Sequence, residues 1–506
     1  MISSLKHIIG IVNKQFHTPF WLFALLLLVL IFRIPTFFEP YSYGDETIYL
    51  TLGQGIKNGV PLYKGLHDNK PPLLYLTAAL AGNLFWFKAI LAISQIIGIY
   101  LFWKLTRLLL PRPKNKSARK VATIIFVLLT TLPFLEGNIA NAELFMIIPT
   151  IAAFLLLLGK DVSFRKIFLA GMFFSFASLY KIPAAFELPV IIVYWILTSK
   201  LTRVDILNII KKTCVLFLGF SLPLAFTFIW YFLQGAFKEY LIAAFLQNFG
   251  YLSSWRPAVT KEPFIVKNAP LLIRAGVLVF INLLLVIKRK SLSKEFMLSV
   301  IWISCTLFAV TLSERPYPHY LIQSIPSLSI LLAILFAGVT FDQVLVIIPL
   351  TLFSIIPVYY KYWHYRSSAY YSRSINFAIG KTSKDDYIAS FGSEVIRNYK
   401  ISEFIRTTTK PEDKVFVWED SAQIYALSKR LPPVKYVAGY HIKDFYSTTD
   451  LVLDLKRNMP KQIIILSKPP DDLTRFIKAN YFVIDNIDGA EIWSLTKQEI
   501  RAMFAR

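Results

Sequence analysis

The feature that most limits what this chain can become is a series of apolar runs, each 15 to 20 residues long and nearly free of charge. With 55% of its 506 residues hydrophobic, it carries more apolar surface than one soluble core can bury, so it reads as a polytopic membrane protein. Backbone groups in a bilayer must pair with one another, and the alternation of a barrel strand is missing, so each run predicts a helix. The expected spans cover residues 20–38, 89–110, 121–136, 143–158, 167–181, 184–199, 213–233, 268–287, 296–312, 320–340 and 343–360, about eleven transmembrane helices.

The first span follows the basic residues Lys6 and Lys14 and ends in bulky residues without a small-x-small cleavage pattern, which predicts an uncleaved signal anchor. Cys214 and Cys305 both fall in expected spans, so neither a disulfide framework nor a thiolate metal site is indicated. A net charge of +24 invites a nucleic-acid reading, but the distribution of the basic residues argues against it. With a cytoplasmic N-terminus, the inner segments hold 20 basic residues and the outer loops before Lys361 hold nine. This is the positive-inside asymmetry of a multi-pass protein of the plasma (inner) membrane. An odd number of spans then places residues 361–506 outside the cytoplasm. That topology requires Pro71 to Phe87 to stay on the outer face as a re-entrant or interfacial helix.

Beyond residue 360 charged residues become common and apolar runs short, as in a small soluble domain. Helical spacing runs from Lys384 to Thr408. It is followed by a strand-like run at Val415 to Trp418, a helix at Ala422 to Ser428, strand candidates at Val434 to Val437, Gln462 to Leu466 and Tyr481 to Ile484, and a helix at Asp471 to Ala479. Alternating elements favour an α/β domain. No internal repeat, Gly-rich phosphate loop or metal-ligand spacing is present, so nucleotide binding is not supported.

The residues with most chemical content lie between Tyr41 and Pro72, just past the first span. Asp45 and Glu46 could act as general base, orient an acceptor hydroxyl, or hold a divalent cation. Acidic residues at a helix start also simply cap it and meet its dipole. The same loop carries a turn from Gly59 to Tyr63 and then Asp68-Asn69-Lys70-Pro71-Pro72. The two prolines keep Lys70 out of helical geometry; the plain alternative for this lysine is interfacial snorkelling. Lys181, near a bilayer boundary, reads either as a cavity-facing or phosphate-facing charge or as a snorkelling one. Arg315 and His319 share a short outer loop with Tyr317 and Tyr320, which an ordinary aromatic and basic belt would also produce.

In order and spacing, Asp45-Glu46, Gly59 to Tyr63 and Lys70 to Leu73 resemble the GT-C superfamily of polyprenyl-phosphate-sugar-dependent glycosyltransferases. The resemblance is closest to the bacterial branch of protein O-mannosyltransferase-like enzymes and the aminoarabinose transferase of lipid A. It extends to Asn141-Ala142-Glu143, to Lys181, to the stretch from Arg315 to Tyr320, and to the tail segment from Lys414 to Val437. It implies that Asp45 is the base or acceptor-orienting carboxylate, with Glu46 supporting it or helping to hold a metal. Lys70 would bind the lipid phosphate, Lys181, Arg315, His319 and Tyr320 would contact phosphate or sugar, and Glu143, Asp68 and Tyr63 would border the acceptor. Asn69 stands where the lipid A enzyme has an acidic residue, which Asp68 would replace from one position earlier.

The sequence therefore predicts a GT-C-like polytopic α-helical membrane protein with a C-terminal extracytoplasmic α/β domain. Its expected partners are the lipid bilayer, a polyprenyl-phosphate-linked sugar donor and an envelope acceptor, with no nucleic acid. The rival class is a transporter or flippase for an envelope precursor, against which stand the absence of repeated halves and of paired broken helices.

Overall fold

The computed structural model describes residues 18–112, 115–250, 264–337 and 341–495. Lys6, Lys14, Lys114 and the last three residues of the expected 320–340 span lie outside them. Among the described residues, five helices are long and apolar enough to cross a membrane: Phe20–Phe38, Leu84–Leu109, Arg203–Leu233, Ala269–Lys288 and Phe341–Tyr359. Their outward faces are apolar: Ile273, Val279, Phe280, Leu283 and Ile287 on one of them are all exposed. Such a surface suits lipid and not water, and the protein is membrane-embedded.

The other expected spans form shorter helices. The helices Lys116–Thr131, Ala142–Leu158, Phe164–Tyr180 and Lys294–Val310 have 16 or 17 residues. At 1.5 Å per residue that gives about 24–26 Å, shorter than the five long helices. Two more begin as 3-10 turns with proline in the first turn, Ile182–Glu187 ahead of Leu188–Thr198 and Pro318–Ser324 ahead of Ile325–Ile334. Pro133 forces Leu132 into extended geometry and stops the helix before it. The segment 71–87 holds a nine-residue helix, Leu73–Ala81, ended by Gly82 at φ +71°, and its last four residues begin the long helix Leu84–Leu109. About 14 Å of helix cannot cross, as expected for this segment.

The chain divides into two compact units. The first comprises residues 1–37, 89–226 and 250–367; the second comprises 38–88, 227–249 and 368–506. In the first, Arg33 at the end of the opening helix donates from Nε to Gln95 Oε1 at 2.8 Å and also to the carbonyl of Gly137. This satisfies a cation that would be costly to leave alone among apolar helices. A Cβ at Gly171 would lie 2.1 Å from the Leu216 carbonyl oxygen, so the absence of a side chain lets two helices cross closely.

The second unit departs from the boundary expected near residue 360, because residues 38–88 group with the tail. Helix Gly44–Lys57 packs on Ala422–Ser428, with Gln54 Nε2 donating to the Lys429 carbonyl at 2.7 Å. Gly53 lets the same helix lie against Leu73–Ala81, since a Cβ there would meet the Ala79 backbone nitrogen at 2.6 Å. The tail sheet has the order β1-β2-β4-β3, with β1 Val415–Trp418 parallel to β2 Gln462–Ile465. β3 Tyr481–Ile487 and β4 Ala490–Leu495 form an antiparallel hairpin. Its turn residues Asp488 and Gly489 both have positive φ, the geometry that suits strand twist. β1 and the Ile463–Ile465 stretch of β2 are apolar and buried on both faces. The strand expected at Val434 to Val437 is absent; Tyr436 makes only an isolated bridge to His67. The expected helix 384–408 is two helices, Lys384–Ala389 and Ser393–Thr408, parted at Gly392 (φ +141°). β4 was not anticipated from the sequence.

Candidate active site

The acidic pair lies in the first turn of Gly44–Lys57, and its two side chains have different fates. Successive helical residues point about 100° apart, so one carboxylate turns inward and the other outward. Glu46 is buried and pairs with Lys88, whose Nζ lies 2.6 Å from Glu46 Oε1 and 2.9 Å from Glu39 Oε2. Tyr370 OH donates to the other oxygen of Glu39 at 2.5 Å. Asp45 keeps about a third of its side chain exposed and accepts a 2.8 Å hydrogen bond from Tyr49 OH, one turn along. Burial, followed by the charge of Asp45, pushes the Tyr49 phenol well above its ordinary value, so it stays a donor.

Lys70 comes to this outward carboxylate from the bend before the double proline. Its Nζ is 3.9 Å from Asp45 Oδ2 and 3.7 Å from Asp68 Oδ2, and it lies over the Tyr49 ring at 5.0 Å. Its backbone is held at both ends: the N–H donates to Tyr75 OH at 3.1 Å, and the carbonyl accepts from Tyr63 OH at 2.8 Å. Tyr63 is buried at φ +71°, so its hydroxyl serves the Lys70 backbone. Asp68 is 1% exposed and accepts from the Asn69 N–H at 2.7 Å. Burial raises its carboxyl, but Lys70, His441 and the donors Asn69 N–H and Tyr75 OH outweigh this and hold it below the usual value.

A second cluster lies in the first unit. Lys181, just past the end of Phe164–Tyr180, is ion-paired with Glu143 in the first turn of Ala142–Leu158, and its Nζ lies 3.6 Å from the Tyr320 ring centroid. His319 is buried between two carboxylates, with Nδ1 on Glu136 and Nε2 3.9 Å from Glu143. Arg315 is half-buried in the same loop, its backbone N–H donating to Ser313 Oγ at 3.4 Å. Glu143 belongs to the first unit and Asp45 to the second.

Among the described residues, no three His, Cys, Asp or Glu side chains converge as a metal site. Asp45 and Glu46, put forward for a divalent cation, do not fit as a shared ligand pair: one faces Lys70 and the other is committed to Lys88. Sequence reasoning missed Lys88, Glu136 and His441. A lysine just inside an apolar helix was a usable signal for Lys88, because a cation there needs a partner. Nothing in the local sequence marked Glu136 or His441.

The long outward-facing apolar helices and the tail domain build a fold that is similar to those of solved structures. The similar solved structures include ArnT from Cupriavidus metallidurans bound to undecaprenyl phosphate, at 13% identity and TM-score 0.54, covering 94% of this chain and 98% of that one. The same enzyme in the apo state matches at 14% identity and TM-score 0.54. An oligosaccharyltransferase from Archaeoglobus fulgidus matches more loosely, at 12% identity and TM-score 0.45, covering 88% of this chain and 70% of that one. Residues 397–494 match the family model described as "Putative competence-induced protein Ccs4 C-terminal domain". No curated protein matches.

Proposed function

We propose that this chain is an inverting glycosyltransferase that moves a monosaccharide from a polyprenyl-phosphate carrier to a hydroxyl of an envelope lipid, glycan or protein. It would work on the outer face of the plasma (inner) membrane, with the N-terminus cytoplasmic and the tail outside. The observation that carries this reading is Lys70, held by its backbone between two tyrosine hydroxyls and set beside Asp45. The ArnT fold, solved with undecaprenyl phosphate, supports the same donor class.

In this reading Asp45 takes the proton of the acceptor hydroxyl as its oxygen attacks the anomeric carbon from the face opposite the phosphate. The bond from that carbon to the phosphate oxygen breaks, and the phosphate diester leaves as a monoester. Negative charge grows on its oxygens, so a cation placed there stabilises the transition state more than the ground state. Lys70 supplies that cation. Both its carboxylate contacts exceed hydrogen-bond length, so it can exchange them for phosphate oxygens. A single displacement inverts the configuration.

Lys181, Arg315, His319 and Tyr320 are proposed as phosphate or sugar contacts, and Glu143 as an acceptor-side group. Lys181 would leave Glu143 when it meets an anion. Glu46 is assigned to holding the loop through Lys88, and Tyr63 to holding Lys70. The test is slow hydrolysis of a polyprenyl-phosphate sugar by purified protein without acceptor. Hydrolysis that disappears in Asp45→Asn supports the transferase, while none in the wild type favours a carrier.

A further inference from the structure

We infer that His441, in the tail, is a positioning residue that sets the Lys70 ammonium through Asp68; the inference rests on Lys70 being the donor-phosphate cation. His441 is buried in the short helix Gly439–Phe445, with Nε2 3.8 Å from Asp68 Oδ1. Asp68 Oδ2 in turn lies 3.7 Å from Lys70 Nζ. One buried carboxylate thus stands between an imidazole from the tail and the Lys70 ammonium. A buried carboxylate must keep its partners, and losing one tightens its hold on those that remain.

The tail holds His441 firmly in place. A Cβ at Gly439 would lie 2.8 Å from the Glu419 backbone, so the helix starts directly against the end of β1. Tyr440 N–H donates to Asp420 Oδ1 at 2.7 Å. The ring of His441 is packed by Tyr440 at 4.2 Å and His67 at 5.8 Å between centroids. One residue before Asp68, the His67 N–H donates to the Lys435 carbonyl at 2.8 Å. The tail therefore fixes the loop by its backbone at residue 67 and by a side chain at residue 68, two residues from Lys70. Burial above all, with Lys70, pushes the His441 imidazole below its ordinary value against the opposing pull of Asp68, Asp444 and Asp45, so it faces Asp68 as a neutral ring. Without His441, Asp68 would draw the Lys70 ammonium into a direct pair, and the cation would be less available to phosphate.

The experiment uses the whole chain in detergent, as wild type, His441→Ala, His441→Gln and Lys443→Ala. The last alters an exposed side chain on the same helix. Two quantities are read: undecaprenyl phosphate affinity, and the rate at which acetic anhydride modifies Lys70, followed by peptide mass spectrometry. His441→Ala should weaken undecaprenyl phosphate about tenfold and slow Lys70 acetylation. His441→Gln, which keeps a polar amide near the Nε2 position, should restore most of both, and Lys443→Ala should change neither. Wild-type affinity and labelling in His441→Ala would overturn the inference. So would a His441→Gln protein that unfolds at the wild-type temperature yet behaves like Ala. If the wild type binds no undecaprenyl phosphate but Lys70 labelling still follows His441, the donor reading fails and the positioning relationship stands.

Discussion

Lys88 Nζ lies 2.6 Å from Glu46 Oε1, and this contact separates two carboxylates that are neighbours in the sequence. Glu46 is spent on a buried three-membered ion cluster with Glu39, while Asp45 stays partly open beside Lys70. Removing the cation tests the division. Lys88→Met should leave two buried carboxylates without their common partner and cost about 3–5 kcal/mol of stability. Thermal unfolding in detergent measures it, and an unchanged Tm would mean the cluster is not held by charge.

Asp45→Asn keeps the size of the side chain and removes its basicity. Transfer should fall by about two to four powers of ten. Binding of undecaprenyl phosphate should persist, because the carboxylate makes no favourable contact with an anion. Full activity in this variant would end its assignment as base.

Lys70→Ala should do the reverse at the first step. A charge-assisted contact to phosphate contributes about 1.5–3 kcal/mol, so donor affinity should drop roughly 10- to 100-fold. Native mass spectrometry of the two proteins with added undecaprenyl phosphate reads this directly. Equal occupancy in both would move the phosphate site elsewhere.

Acid should weaken the second unit. Burial pushes His67 down to about 4 from an ordinary 6.5, and the unfolded chain therefore binds more protons than the folded one between those values. Stability is unaffected above about pH 6.5, falls as pH drops towards 4, and levels off below; the loss from this residue is at most about 3 kcal/mol. Unfolding temperatures at pH 7 and pH 5 should differ less in a His67→Gln variant than in the wild type.

Much of this architecture could be read from local sequence. Helix Ala422–Ser428 and strand Val415–Trp418 occupy the expected residues, because apolar spacing and turn residues agree there. Leu73–Ala81 ends at a glycine that takes the left-handed conformation, as a stop signal should. Several helices are shorter than the apolar runs suggest because mean apolarity does not register that Pro133, Pro183 and Pro318 shorten or tighten the helix beside them. β4 went unseen because six residues of mixed polarity, AEIWSL, become a strand only when β2 and β3 flank them.

The sequence by itself determined that the chain lives in a membrane and where most of its apolar helices lie, and it singled out the loop from Tyr41 to Pro72 as the candidate site, since apolar run length and proline stereochemistry act over a few residues. Only the tertiary structure decided which carboxylate of the pair is available, that Lys70 sits between Asp45 and Asp68, and that this loop folds with a tail more than three hundred residues further on. Those outcomes depend on the direction each side chain takes from its helix and on which distant cation reaches a buried carboxylate first. Electrostatic pairing in a desolvated interior is decided by distance in space, and separation along the chain carries no record of it.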